Sequence, residues 1–130
     1  MNDMRVLTQN IRWESYDPAK TSSPSDIASN LDTLGSFLEH YLNTDPYDFV
    51  ALQEAKKVLE QLELPNEGRL DPFRPIHSSY TYGMVKDEVC ITFYDRSKYL
   101  MVGSYSQGIG RHINDGRVCL ISAFRKVKDQ

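Results

Sequence analysis

Met4-Arg5-Val6-Leu7-Thr8-Gln9-Asn10-Ile11-Arg12 and Asp48-Phe49-Val50-Ala51-Leu52-Gln53-Glu54 are the two stretches whose reading decides the fold. Each is a short apolar run that closes on a polar side chain able to hold a metal or a phosphate. The first closes on Asn10, the second on Glu54. The alternation in residues 4–11 reads as a strand. Phe49-Val50-Ala51-Leu52 does not alternate and suits a strand covered on both faces. A strand–helix–strand unit of this length is normally parallel and right-handed. The C-terminal ends of both strands then lie on one edge of the sheet, where ligand sites of open α/β sheets occur. Asn10 and Glu54 are therefore expected side by side.

The connecting segment supports this reading. Residues 12–22 are polar and loop-like, with Asp17-Pro18 as a turn signal. In Ser23-Pro24-Ser25-Asp26, Ser23 reads as the N-cap, Pro24 as the first helical residue and Asp26 as the acidic third position. Ile27, Leu31, Leu34, Leu38 and Tyr41 follow at helical spacing, widened by Phe37 and Leu42. Asn43 and Asp45-Pro46 end the helix. A shorter helix is expected from residue 55 to 64, stopped by Pro65, and residues 65–77 read as a loop.

From Ser79 onward the texture is β-rich. Tyr80-Thr81-Tyr82, residues 89–94, 99–105 and 117–124 read as strands, with Asp95-Arg96-Ser97-Lys98 and Asn114-Asp115-Gly116 as turns. The expectation is α+β: a βαβ unit over 4–64 joined to antiparallel strands over 79–125 in one mixed sheet, with helices on one face. The last strand raises a difficulty. Val118, Leu120 and Phe124 point one way and Cys119, Ile121 and Ala123 the other, so both faces want cover. The helices cover one face of the sheet, and nothing further is expected to cover the other.

The bulk numbers narrow the function. The chain has 130 residues, which fits a single domain with a real core. A net charge of −3 gives no general basic field for nonspecific nucleic-acid binding. Cys90 and Cys119 lie in apolar β-like runs and read as buried reduced thiols in neighbouring strands. No metal-ligand spacing of Cys or His appears. No leader-like or membrane-length apolar segment is present, so a cytoplasmic or nuclear location is the default expectation.

Asn10-Ile11-Arg12 and Leu52-Gln53-Glu54 resemble the first two motifs of the endonuclease/exonuclease/phosphatase superfamily, the DNase I-like fold. That family's opening strand ends in an asparagine, as "xNIR" or "WNI", and its second strand ends in "LQE". Val89-Cys90-Ile91-Thr92-Phe93-Tyr94 followed by Arg96-Ser97-Lys98-Tyr99 is similar to its middle hairpin. Gly116-Arg117-Val118-Cys119-Leu120 is similar to the strand after that. The resemblance implies the N-terminal half of a four-layer α/β/β/α sandwich over residues 1–130. It implies a divalent-metal-dependent phosphoesterase, usually with Mg²⁺. Glu54 would bind the metal, and Asn10 would orient the phosphate and the metal site. The substrate would be a phosphate ester of nucleic acid, a phosphorylated small molecule or a lipid head group. The family's second half carries a histidine, a "GDxN" motif and a final "SDH", which have no counterparts here. His40, His77 and His112 do not match them. The chain alone is therefore expected to be inactive and to hold Mg²⁺ weakly. It is expected to meet a complementary chain, or a second copy, through the uncovered sheet face.

Other readings carry less weight. Asn10 can simply cap a strand end, and Glu54 can be the acidic first residue of a helix. Arg12-Trp13 can contact a phosphate and stack a base, but such a pair is more often surface packing. Lys56-Lys57 reads as a solvated helix face. Tyr80, Tyr82, Phe93, Tyr94, Tyr99 and Tyr105 fit strand packing better than a base-stacking platform. Gly108-Ile109-Gly110 lacks the context of a dinucleotide loop. A flavodoxin-like nucleotide binder shares the βαβ start but conflicts with the antiparallel second half. The functional alternative is a noncatalytic remnant that acts as a binding or assembly module.

Overall fold

The structure is a computed structural model and describes residues 3–21, 23–65, 68, 70–109 and 117–128. The turn expected at Asn114-Asp115-Gly116, together with His112 and Gly110, lies outside the described residues. The fold is α+β, with two sheets and two α-helices among the described residues. Strand β1 spans Val6–Asn10 and β2 spans Phe49–Gln53; they are parallel neighbours. Helix α1, Pro24–Leu38, connects them. It starts as the sequence dictates: the Ser23 hydroxyl accepts the Asp26 backbone N–H at 3.2 Å, and Pro24 needs no donor partner at the first position. The helix runs on into a wider π-type turn, Glu39–Thr44, before Asp45 breaks it.

Helix α2, Lys56–Glu63, follows β2 directly. Strands β3, Ser78–Val85, and β4, Glu88–Asp95, form a hairpin that joins the first sheet in the order β1-β2-β4-β3. The side chains of β4 alternate as a strand demands. Val89, Ile91 and Phe93 are buried with Val50 and Leu52 of β2. Leu34 and Leu38 of α1, Leu42 just beyond it, and Val58, Leu59 and Leu62 of α2 close over them. Each such side chain contributes about 1.5–3 kcal/mol by leaving water, so this layer dominates the stability.

The single mixed sheet expected from sequence is not what forms. Strands β5, Tyr99–Ile109, and β6, Arg117–Lys126, make a separate two-stranded sheet. The expectation that nothing covers the second face fails with it, because this hairpin folds back over that face. Phe124 stacks against Phe49 and Tyr94, with ring centroids 4.9 Å away in each case. Tyr99 lies 4.6 Å from Phe49. Farther along, the Thr81 and Ser104 hydroxyls meet at 2.6 Å. The physical reason is the excess of apolar groups on both faces of β2, β4 and β6. A meander in one plane exposes one of those faces, whereas doubling back buries it. Asp95 sets up the reversal. Its carboxylate accepts from the Ser97 N–H at 2.9 Å and from the Ser97 hydroxyl at 2.6 Å, which makes the tight turn into β5.

The two cysteines are corrected in the same way. Cys90 on β4 and Cys119 on β6 are half-buried free thiols on facing sheets, not on adjacent strands. The Cys90 thiol lies 3.9 Å from the Val118 carbonyl oxygen.

Candidate metal and phosphate site

Asn10 is the last residue of β1 and pairs in register with Gln53, the last residue of β2. Glu54 is the next residue, so the two side chains end neighbouring strands on one sheet edge. The Ile11 N–H donates to the Gln53 carbonyl at 3.1 Å and extends the pairing past the strand ends. The Ala55 N–H donates to the Val89 carbonyl at 2.9 Å, which brings the start of β4 to the same place. Glu88, the first residue of β4, therefore stands beside Glu54. It is half-buried, and burial pushes its carboxyl above the usual range. The negative charges of Glu54 and Glu14 add to the rise, against the opposing pull of Arg117.

Two backbone features shape this edge. Arg12 and Glu54 adopt φ of 58° and 54°, the left-handed region that L residues rarely occupy. At Glu54 this conformation turns the chain sharply from β2 into α2. At Arg12 it turns β1 into a 3-10 turn, Trp13–Tyr16, inside the segment read as loop. The Asn10 side-chain carbonyl accepts the Arg12 backbone N–H at 2.9 Å and fixes that turn. Asn10 thus does the capping work of its plainer reading. Its amide oxygen still has a second lone pair for a cation or a donor.

The expected neighbours divide cleanly. Lys56 and Lys57 open α2 and face a cleft beside this edge, not open solvent alone. Trp13 lines the same cleft. His40 lies in the turn before β2, and His77 precedes β3, whose start pairs with the end of β4. Both are at the opposite edge of the sheet. Among the described residues no three His, Cys, Asp or Glu side chains cluster closely enough to hold a metal by themselves. Sequence reading did not find Glu88, nor the Lys86-Asp87 turn next to it, because only the antiparallel pairing of β4 on β2 brings them to Glu54. The one available signal was the apolar run that begins at Val89, directly after Glu88.

Comparison with family models, with curated proteins and with solved structures finds no match for this chain.

Proposed function

We propose that this chain supplies the metal- and phosphate-binding edge of a phosphoesterase of the endonuclease/exonuclease/phosphatase type, in a DNase I-like sandwich. The observation that carries the reading is the register of β1 on β2, which sets Asn10 against Gln53 and Glu54 one step beyond. The stacking of the β5–β6 sheet on the first sheet supports it, since two facing sheets are what that sandwich requires.

The donor chemistry fits a hard divalent cation. Glu54 offers a carboxylate and Asn10 an amide oxygen, and Mg²⁺ takes few protein ligands while keeping several waters. Glu54 would hold the ion, and Asn10 would orient the phosphate oxygens against it. Bound there, the ion offsets the charge that builds on a phosphate under attack. Asn10 is itself held by the Arg12 N–H, so its orientation does not depend on the substrate. No histidine lies at this edge among the described residues, and the acid–base groups that phosphoester cleavage needs within hydrogen-bond reach come from elsewhere.

The test is a phosphodiester hydrolysis assay with Mg²⁺, on the chain alone and mixed with a candidate complementary chain carrying the "GDxN" and "SDH" motifs. Turnover is expected only in the mixture and is expected to vanish in Glu54→Ala. Turnover that is indifferent to Glu54→Ala, or none in any mixture, overturns the reading. A second reading, a noncatalytic assembly module, is favoured by one observation: the outer face of the β5–β6 sheet exposes Leu100, Val102, Tyr105, Ile109 and Ile121.

A further inference from the structure

Beside the Asn10–Glu54 edge lies a cleft of about 550 Å³, within the usual size range of small-molecule sites. Three elements wall it. The turn after β1 gives Trp13 and Tyr16, helix α2 gives Lys56, and the β3–β4 turn gives Lys86, Asp87 and Glu88. Trp13 is 37% exposed and Tyr16 is half-buried, so aromatic surface is on offer at the wall. Lys56 reaches across to Asp87 at 2.9 Å and ties α2 to the β3–β4 turn. The cleft adjoins the phosphate edge through Glu88, which lines it and interacts with Glu54. Trp13 is three residues beyond Asn10, Lys56 is two beyond Glu54, and Glu88 stands beside Glu54.

The lining is aromatic and of mixed charge. Its lysines are matched by Asp17, Glu60, Asp87 and Glu88, so no cationic surplus exists to bind a polyphosphorylated ring. The same lysines disfavour a quaternary ammonium, which wants aromatic and acidic walls without competing cations. A nucleobase satisfies all of these features. It stacks on an aromatic face, and its edge carries both donors and acceptors to meet ammonium and carboxylate groups.

We infer that this cleft receives the base of a nucleotide whose phosphate lies at the Asn10–Glu54 edge. The inference rests on the phosphoesterase reading for the phosphate, but not for the base. The base comes from a free nucleotide or from a single strand.

Trp13 is the only tryptophan in the chain, so its fluorescence reports on the cleft directly. The full chain, in chelator-treated buffer without divalent metal, is titrated with adenosine and with 5′-AMP. Ribose 5-phosphate, inositol phosphate and phosphocholine serve as base-free controls. Quenching by the first two and not by the controls is expected. Calorimetry should show Trp13→Ala weakening 5′-AMP binding by about 5- to 150-fold, the range of one base stack, and Trp13→Phe retaining most of it. Circular dichroism of both variants checks that they keep the fold, and wild-type fluorescence carries the test if Trp13→Ala does not. Tighter binding of a short oligonucleotide than of 5′-AMP, lost when the oligonucleotide is abasic, assigns the base to a strand; equal binding assigns it to a free nucleotide. No quenching by any base, or equal binding of ribose 5-phosphate or phosphocholine, overturns the inference. Base binding with no metal-dependent hydrolysis in any mixture with a complementary chain sinks the phosphoesterase reading alone. Hydrolysis of a base-free phosphodiester by the mixture, lost in Glu54→Ala, without base binding sinks this one alone.

Discussion

The carboxylate of Asp48, buried at the foot of β2, accepts the ammonium of Lys98 at 3.0 Å and the hydroxyl of Tyr99 at 3.2 Å. Lys98 and Tyr99 stand where the chain leaves the first sheet and enters the second. This contact fixes the place at which the two sheets diverge. The Arg5 backbone N–H adds a third donor at 3.3 Å, so strand β1 is anchored at the same point.

Asp48 is expected to make stability acid-sensitive. Burial pushes its carboxyl up, but Lys98, the Arg5 N–H and Tyr99 outweigh that and hold it below the ordinary 3.8. A depressed acid pKa contributes stability that is present above the ordinary value. That contribution is lost as pH falls through the depressed one. Urea unfolding followed from neutral pH to below 3.8 should show a loss that is shallower in Asp48→Asn. At neutral pH, Asp48→Ala should cost about 1.5–3 kcal/mol, the value of hydrogen bonds to a charged group. Lys98→Ala should cost less, roughly 0–1 kcal/mol, because half of that side chain is in water. Equal stability of wild type and Asp48→Ala across this pH range would exclude the anchoring role.

Gly83 marks a close approach of the two sheets. A Cβ added there would lie 2.5 Å from the Cβ of Ser106, a distance real structures do not show. Ser106 Cβ is fixed to its backbone and cannot swing aside. Gly83→Ala must therefore push β5 away from β3, at a cost of roughly 1–3 kcal/mol. The double variant Gly83→Ala/Ser106→Gly should recover much of the loss, and a double-mutant cycle would measure that coupling. If the two changes add without coupling, the sheets do not meet there.

The first sheet and its helices were legible in the sequence, and the second sheet was not. Ser23, Pro24 and Asp26 specify a helix start through local bonds, and the spacing from Ile27 to Tyr41 specifies its inner stripe. Both depend only on neighbours in sequence. The parallel pairing of β1 and β2 followed from a strong topological rule. Whether β5 continues the first sheet or lies across it depends on contacts distant in sequence, such as Phe49 with Phe124 and Gly83 with Ser106. Alternating apolar residues look the same in either case. The candidate site was half legible for the same reason. Asn10 and Glu54 announce themselves at strand ends, whereas Glu88 and the cleft behind Trp13 exist only once β4 has docked.

Divalent-metal binding by this chain is expected to be weak and to depend on Glu54. One carboxylate with one amide leaves most of the coordination shell to water, so affinity should be on the order of 10⁻³ M or weaker. Titration calorimetry with MgCl₂ should detect this and lose it in Glu54→Gln. Tight binding, or binding unaltered in Glu54→Gln, would place the metal elsewhere.

Self-association is expected through the outer face of the β5–β6 sheet, and not through the face of the first sheet that sequence left bare. Val118 is buried and Phe124 half-buried against the first sheet. Their alternates point outward: Ile121 is 62% exposed, and Tyr105, its partner in the ladder, is 60% exposed. Leu100, Val102 and Ile109 are exposed as well, with Arg125 and Arg117 as the ladder partners of Leu100 and Ile109. Soluble monomers rarely leave this many large apolar side chains open on one face, and a two-stranded sheet with unpaired edges adds free backbone donors and acceptors. Sedimentation velocity should show concentration-dependent association, and a hydrophobic dye should bind the dilute chain. Ile121→Lys and Tyr105→Ser should suppress both with little change in unfolding midpoint, since neither side chain is in the core. By contrast, Phe124→Ser should lower the midpoint, because it strips the aromatic contacts to Phe49 and Tyr94. A monodisperse monomer that binds no dye in the wild type would show that this face is not a site of association.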